Sequence, residues 1–269
     1  MKLPNKSLGQ HWLYDEKTLD SICLDAEIVD GDNVLEIGPG LGTLTARLLN
    51  FGAKVSALEY DHELFLGLKE NTKKRLHNSA EIDNLDVVEG DIRNFDFSKM
   101  PQGYKICANI PYYLTSNLLR RLCDTESKPE RVALLMQKEV TQRVVAEDGR
   151  MSLISCFVQF FYDTFEGTPV PAGLFTPPPK VDSLVLILSR REKPLFDVDQ
   201  KLFFRLIKYG FAGKRKNLKN TLSSGFGVSK DKIESLLDQA VIDSNRRAET
   251  LSLYEWKTIY DLLDTLSTE

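Results

Sequence analysis

Metal-ligand spacings are missing from this chain. Its three histidines, His11, His62 and His77, share no ligand spacing, and Cys23, Cys107, Cys123 and Cys156 sit singly inside apolar stretches, never as C-x-x-C. No metal site is therefore expected, and the thiols read as buried and reduced, as in a cytoplasmic protein. Apolar runs fall short of the roughly 18 residues that a membrane span requires, so no membrane partner is expected. The opening MKLPNKSLGQHW lacks the continuous apolar core of a secretory signal and is too short for an Arg-rich transit peptide. Low-complexity tracts and internal repeats are absent as well.

What is present is an ordinary globular composition, 42% hydrophobic over 269 residues, enough for one large domain and a small one. The net charge of −4 argues against a nucleic-acid binder until it is divided along the chain. From residue 189 onward 15 Lys and Arg face 12 Asp and Glu, a net +3 that leaves −7 for the rest. Arg205, Lys208, Lys214, Arg215, Lys216 and Lys219 lie within an acid-free stretch. Such a run is either a solvated helical face or a phosphate-contacting patch.

Short apolar runs at 34–37, 54–58, 87–88 with flanks, 104–108 and 132–136 alternate with amphipathic stretches at 41–49, 62–76 and 114–122. That alternation predicts an α/β fold with a doubly wound, mostly parallel sheet. A further strand is expected at 181–188 after a Pro-rich turn, and only helical patterns remain from Gln200. Pro194 marks the expected boundary between a domain over 1–193 and a small all-helical domain over 194–269.

Residues 34–42 (VLEIGPGLG) read as a strand entering a glycine turn that opens a helix. A dinucleotide fingerprint would place its third glycine at position 43, which is Thr43. The G-x-G-x-G spacing of Gly38, Gly40 and Gly42, preceded by Glu36, suits a nucleoside ligand with no pyrophosphate to cradle. Glu59 lies 21 residues after Gly38, at the end of the next strand, where a carboxylate can accept both ribose hydroxyls. Asp91 follows the third strand and can accept from an adenine amine.

Asn109-Ile110-Pro111-Tyr112 is the most specific segment. Proline forces Ile110 into an extended conformation and cannot continue a central strand. The Ile110 carbonyl and the Asn109 amide oxygen can then take both hydrogens of a planar NH2 group, with the Tyr112 ring offered to the attached base. Adenine N6 is a poor nucleophile because its lone pair is delocalised into the ring. Two carbonyl oxygens on its hydrogens aim that lone pair and stabilise the charge that develops during attack.

Five segments now carry a resemblance. Residues 7–13 (SLGQHWL), 36–42 (EIGPGLG), 109–112 (NIPY), 175–183 (FTPPPKVDS) and 245–251 (NRRAETL) resemble, in order and spacing, the small-subunit ribosomal RNA adenine N6,N6-dimethyltransferase family. Trp12 departs from that pattern, which carries Phe there. The resemblance implies a class I methyltransferase, Rossmann-like domain whose N-terminal segment covers the cofactor, S-adenosylmethionine. It implies cofactor contacts at His11, Leu13, Gly38, Gly40, Glu59, Asp91 and Asn109. Catalysis would fall to Asn109, Ile110, Pro111 and Tyr112, with Phe175 forming the second face of an adenine sandwich against Tyr112. Two aromatic faces at about 1–3 kcal/mol each match the few kcal/mol needed to unstack a base.

The implied reaction is dimethylation of two adjacent adenosines near the 3′ end of small-subunit rRNA in a pre-ribosomal particle. The protein would act as a monomer, with Lys214, Arg215 and Lys216 of the helical domain gripping RNA. The segments at 175–183 and 245–251 argue against the related large-subunit rRNA dimethyltransferases. Length and the lack of a transit peptide argue against the mitochondrial transcription-factor branch. A ribosome-assembly factor whose main task is binding stays open beside the enzyme.

Overall fold

The computed structural model describes residue 4, residues 9–147 and residues 149–263, and only the backbone of Tyr112. The chain folds into two compact units, residues 1–142 with 163–190, and residues 143–162 with 191–269. The second unit takes residues 143–162, which the sequence alone assigned to the first. Their helix begins at Ser152 in a capping box with Ser155 and is rich in phenylalanine, a pattern that binary periodicity does not resolve.

The first unit is built on seven strands. They are β2 (Asn33–Ile37), β3 (Lys54–Glu59), β4 (Leu85–Glu89), β5 (Lys105–Asn109), β6 (Arg131–Gln137), β7 (Tyr162–Val170) and β9 (Ser183–Arg190). Their order across the sheet is β4-β3-β2-β5-β6-β9-β7. The first five in that order are parallel neighbours, and β9 runs antiparallel to β6. A separate two-stranded ladder joins β1 (Trp12–Leu13) to β8 (Phe175–Thr176), antiparallel, with Leu13 opposite Phe175. Strand β7, unforeseen from sequence, is an edge strand, which explains why it tolerates Gly167 and Pro169.

Helices α1 (Glu16–Asp25), α2 (Thr43–Asn50), α3 (His62–Lys73) and α4 (Thr115–Asp124) join these strands. Asp15 caps α1 through the Thr18 N–H, and Asp61 caps α3 through Glu63 and Leu64, so both starts follow from an acid at the N-cap. Leu19, Ile22, Leu48, Val34, Leu68 and Val185 share one apolar cluster with Leu13 and Phe175. All four cysteines are buried, and burial pushes the Cys123 and Cys156 thiols up to about 12.

Helix α5 (Lys138–Val144) follows β6 directly in the chain and ends where the second unit begins. In that unit α6 (Leu153–Phe161) is followed by α7 (Gln200–Gly210), α8 (Leu218–Phe226), α9 (Lys230–Gln239) and α10 (Leu253–Asp261). Its core is aromatic: Phe157 stacks on Phe204 at 4.1 Å, and Phe160 packs against Phe203 and Phe196. Trp256 is fully buried against Gly210, where an added Cβ would come within 2.2 Å of the indole. The NRRAETL segment fastens this unit: the Arg246 guanidinium binds Glu255, and Glu255 closes a capping box with Ser252 at the start of α10.

Candidate active site

The carboxyl ends of β2, β3, β4 and β5 open onto one cavity in the first unit, with about 1150 Å³ of space including its mouth. Parallel strands place their ends side by side, and the loops that leave them supply the walls. His11, Leu13, Gly38, Gly40, Glu59 and Asp91 line it, and so do Asn109, Ile110, Pro111 and Phe175. The side chain of Tyr112 lies outside the described residues. Lys214, Arg215 and Lys216 belong to the second unit, in the turn between α7 and α8, and are exposed.

The glycine loop leaves β2 with Gly38 at φ +69° and Gly40 at φ +57°. A Cβ on Gly38 would meet nothing within 4 Å and would project into open space, whereas one on Gly40 would lie 2.5 Å from the Trp12 ring. Gly38 therefore leaves room on the cavity side, and Gly40 leaves room for the indole above it. Glu59 is 5% exposed. Its Oε2 accepts from the Gly40 N–H at 3.0 Å and its Oε1 from the Asp61 N–H at 2.8 Å. Besides its expected ribose role, this carboxylate thus latches the glycine loop. Burial raises its pKa above the usual value, against the pull of those backbone bonds.

Glu36 lies beside the loop, 2% exposed, with its Oε2 unpartnered among the described residues. Burial pushes its carboxyl up to about 8, and the nearby Glu59 adds to the rise. Asp91 is held by Arg93, whose Nε donates to Oδ2 at 2.9 Å. That bond keeps Asp91 ionised, below the usual carboxylate range. Arg93 lines the cavity too and went unforeseen; an arginine two residues after the acid is its only signal in the sequence. Trp12 as the cover of Gly40 was also unforeseen, since strand β1 joins the site only through long-range pairing.

Asn109 ends β5, and the ladder with β6 stops there, at Asn109 opposite Leu135. The Asn109 Nδ2 donates to the His11 main-chain carbonyl at 3.3 Å. Phe175 is 4% exposed and belongs to the apolar cluster while also facing the cavity.

Room beside Gly38 and carboxylates at the ends of β3 and β4, with Asp91 ionised, fit a nucleoside cofactor that carries a cation. Fold and site together define an S-adenosylmethionine-dependent methyltransferase of class I. Residues 1–259 match the family model described as ribosomal RNA adenine dimethylase. The chain belongs to the ribosomal RNA adenine dimethylase family. It is 38% identical over 255 residues to the ribosomal RNA small subunit methyltransferase A of Dehalococcoides mccartyi, covering 94% of this chain and 86% of that one. Its counterpart of the same name in Clostridium botulinum is 37% identical, covering 96% and 95%. Among solved structures, a dimethyladenosine transferase from Plasmodium falciparum superposes with TM-score 0.78 at 26% identity, over 96% of this chain and 98% of that chain. The 23S rRNA methyltransferase ErmE gives 0.75 at 25% identity, over 94% and 99%.

Proposed function

We propose that this chain transfers methyl groups from S-adenosylmethionine to N6 of two adjacent adenosines near the 3′ end of small-subunit rRNA. The product is N6,N6-dimethyladenosine, made in the cytoplasm by a monomer acting on a pre-ribosomal particle. One observation carries the reading: Asn109 and Ile110, the acceptors for a planar amine, share a single cavity with Gly38, Glu59 and Asp91. The sulfonium cofactor supplies an activated methyl when bound. Glu59 takes the ribose hydroxyls, Asp91 the adenine amine of the cofactor, and Gly38 gives the backbone room to approach. Asn109 Oδ1 and the Ile110 carbonyl hold the two hydrogens of the target amine and aim its lone pair in line. Phe175 forms one wall for the target base, with Tyr112 as the other face. Lys214, Arg215 and Lys216 contact rRNA phosphates, which position the substrate without reading its sequence.

The likeness to ErmE keeps a large-subunit target in view, but the relatives at 37–38% identity carry the small-subunit name. Nucleoside mass spectrometry of both ribosomal RNAs decides. A strain lacking this chain should lose dimethyladenosine from small-subunit RNA and regain it with the wild type. Asn109→Ala, assayed at saturating cofactor, should lose about two to three orders of magnitude in rate. Dimethyladenosine lost from large-subunit RNA instead, or a near wild-type rate in Asn109→Ala, overturns the reading. An Asn109→Ala chain that restores subunit maturation without methylation would set an assembly role apart from catalysis.

A further inference from the structure

An asparagine amide has two faces, and only one suits an exocyclic amine. Presented as Oδ1 it accepts the amine's hydrogen; turned over, it sets N–H against N–H. Something in the protein must choose. The Asn109 Nδ2 lies 3.3 Å from the main-chain carbonyl of His11, and a carbonyl oxygen only accepts. Turning the amide over would put two oxygens against each other and forfeit the bond. With Nδ2 committed, Oδ1 is the atom left for a ligand.

The carbonyl that makes this choice is itself held. His11 Nδ1 lies 2.6 Å from the Pro177 carbonyl, which, being an acceptor, assigns the hydrogen to Nδ1. The next two residues pair with β8, Trp12 opposite Thr176 and Leu13 opposite Phe175. The Trp12 ring also lies against Gly40. One three-residue segment therefore touches the amine holder, the Phe175 wall and the glycine loop.

We infer that His11 is a positioning residue for methyl transfer: its main-chain carbonyl fixes the Asn109 amide with Oδ1 toward the target amine, and its ring ties that carbonyl to the Pro177 loop. The inference rests on the adenine-N6 reading, and the test separates the two. If the wild type does not methylate adenine N6, that reading fails. If it does, Asn109→Asp decides the inference.

An ionised aspartate would be an equal or better holder of a nitrogen that gains positive charge, were His11 not there. Facing the His11 carbonyl, it sets oxygen against oxygen and is misplaced until it is protonated, when its O–H donates to His11 and its C=O accepts the amine. The rate of Asn109→Asp relative to wild type, at saturating cofactor and RNA, should be at least tenfold down at pH 8. It should then climb by about tenfold per pH unit as the pH falls toward the carboxyl pKa, which partial burial raises above the ordinary value of about 3.9. A wild-type rate at pH 8, or a ratio that stays flat from pH 8.5 to 5.5, overturns the inference.

The ring tie has its own readout. His11→Ala should lower kcat tenfold or more at saturating cofactor. His11→Asn should recover most of that loss, because its Nδ2 hydrogen sits where the Nδ1 hydrogen sat, two bonds from Cβ. Equal kcat in the two variants overturns the tie to Pro177.

Discussion

Glu59 should fail in two measurable ways when it is cut back, because its carboxylate serves the protein before any cofactor arrives. In Glu59→Ala the N–H groups of Gly40 and Asp61 both lose their acceptor. Each bond to an ionised acceptor is worth about 1.5–3 kcal/mol. The Asp61 N–H lies near the surface and water replaces most of its bond, whereas the Gly40 N–H is buried. The net cost is therefore about 2–3 kcal/mol, which for a chain of this size lowers Tm by roughly 4–10 °C. Loss of the proposed ribose hydroxyl contacts would add its own penalty, so S-adenosylhomocysteine should bind on the order of tenfold more weakly or worse. Glu59→Gln is not a mild change at this position. One amide oxygen can serve one N–H, and the amide nitrogen must then face the other, so this variant should lose nearly as much as alanine. Differential scanning calorimetry without cofactor and titration calorimetry with it separate the two roles. An unchanged Tm in cofactor-free Glu59→Ala refutes the latch, and unchanged affinity in both variants refutes the ribose contact.

Two further outcomes follow from charge. Glu36 has a folded pKa of about 8 against an ordinary 4.5, so the folded state binds its proton more tightly than the unfolded chain does. The stability this contributes is fully present below about 4.5 and is lost as pH rises through 8, at about 1.4 kcal/mol per unit. Glu36→Gln, which cannot ionise, should therefore gain Tm over the wild type by a widening margin from pH 5.5 to pH 8.5; a constant margin refutes the burial argument. Among the described residues Lys214, Arg215 and Lys216 have no ion pair, and reversing all three to Glu should flatten the log–log salt dependence of RNA binding by about 2 or more if all three meet phosphates. Cofactor affinity should not change, and RNA binding like the wild type's would make the turn a solvated loop.

The sheet was legible because buried parallel strands read as unbroken apolar runs, and β2, β3, β5 and β6 fall within a residue or two of their expected places. Strand β4 was visible only as Val87 and Val88, since Asp86 and Glu89 interrupt it. Helix α1 and strand β7 went unforeseen because their sequences mix charged and apolar residues without a clean period. The cavity's floor was legible, since the positions of Gly38, Glu59, Asp91 and Asn109 at or just past the ends of successive strands depend on local signals. The ties between those residues were not. Asn109 and His11 are 98 residues apart. Lys219 sits in an acid-free stretch of sequence yet pairs with Glu234, brought from α9 at 2.9 Å. Local composition cannot reveal a partner that only tertiary folding supplies.

Phe175 shows how far the site and the core are one object. Its ring was expected as a stacking face, and the position it occupies is also one of the core. It is 4% exposed, shares an apolar cluster with Leu13, Leu19 and Val185, and still lines the cavity. Truncating a buried phenylalanine to alanine costs about 3–5 kcal/mol through lost burial and the cavity left behind. Lost activity in Phe175→Ala would therefore measure the collapse of a wall as much as the loss of a π-face. Leucine keeps most of the volume and removes the ring, so it isolates stacking from packing. The same reasoning covers Leu13, which stands opposite Phe175 in the β1–β8 ladder: a cavity whose walls are core residues keeps its shape by packing, and its chemistry then depends on the few polar atoms that the packing leaves facing inward.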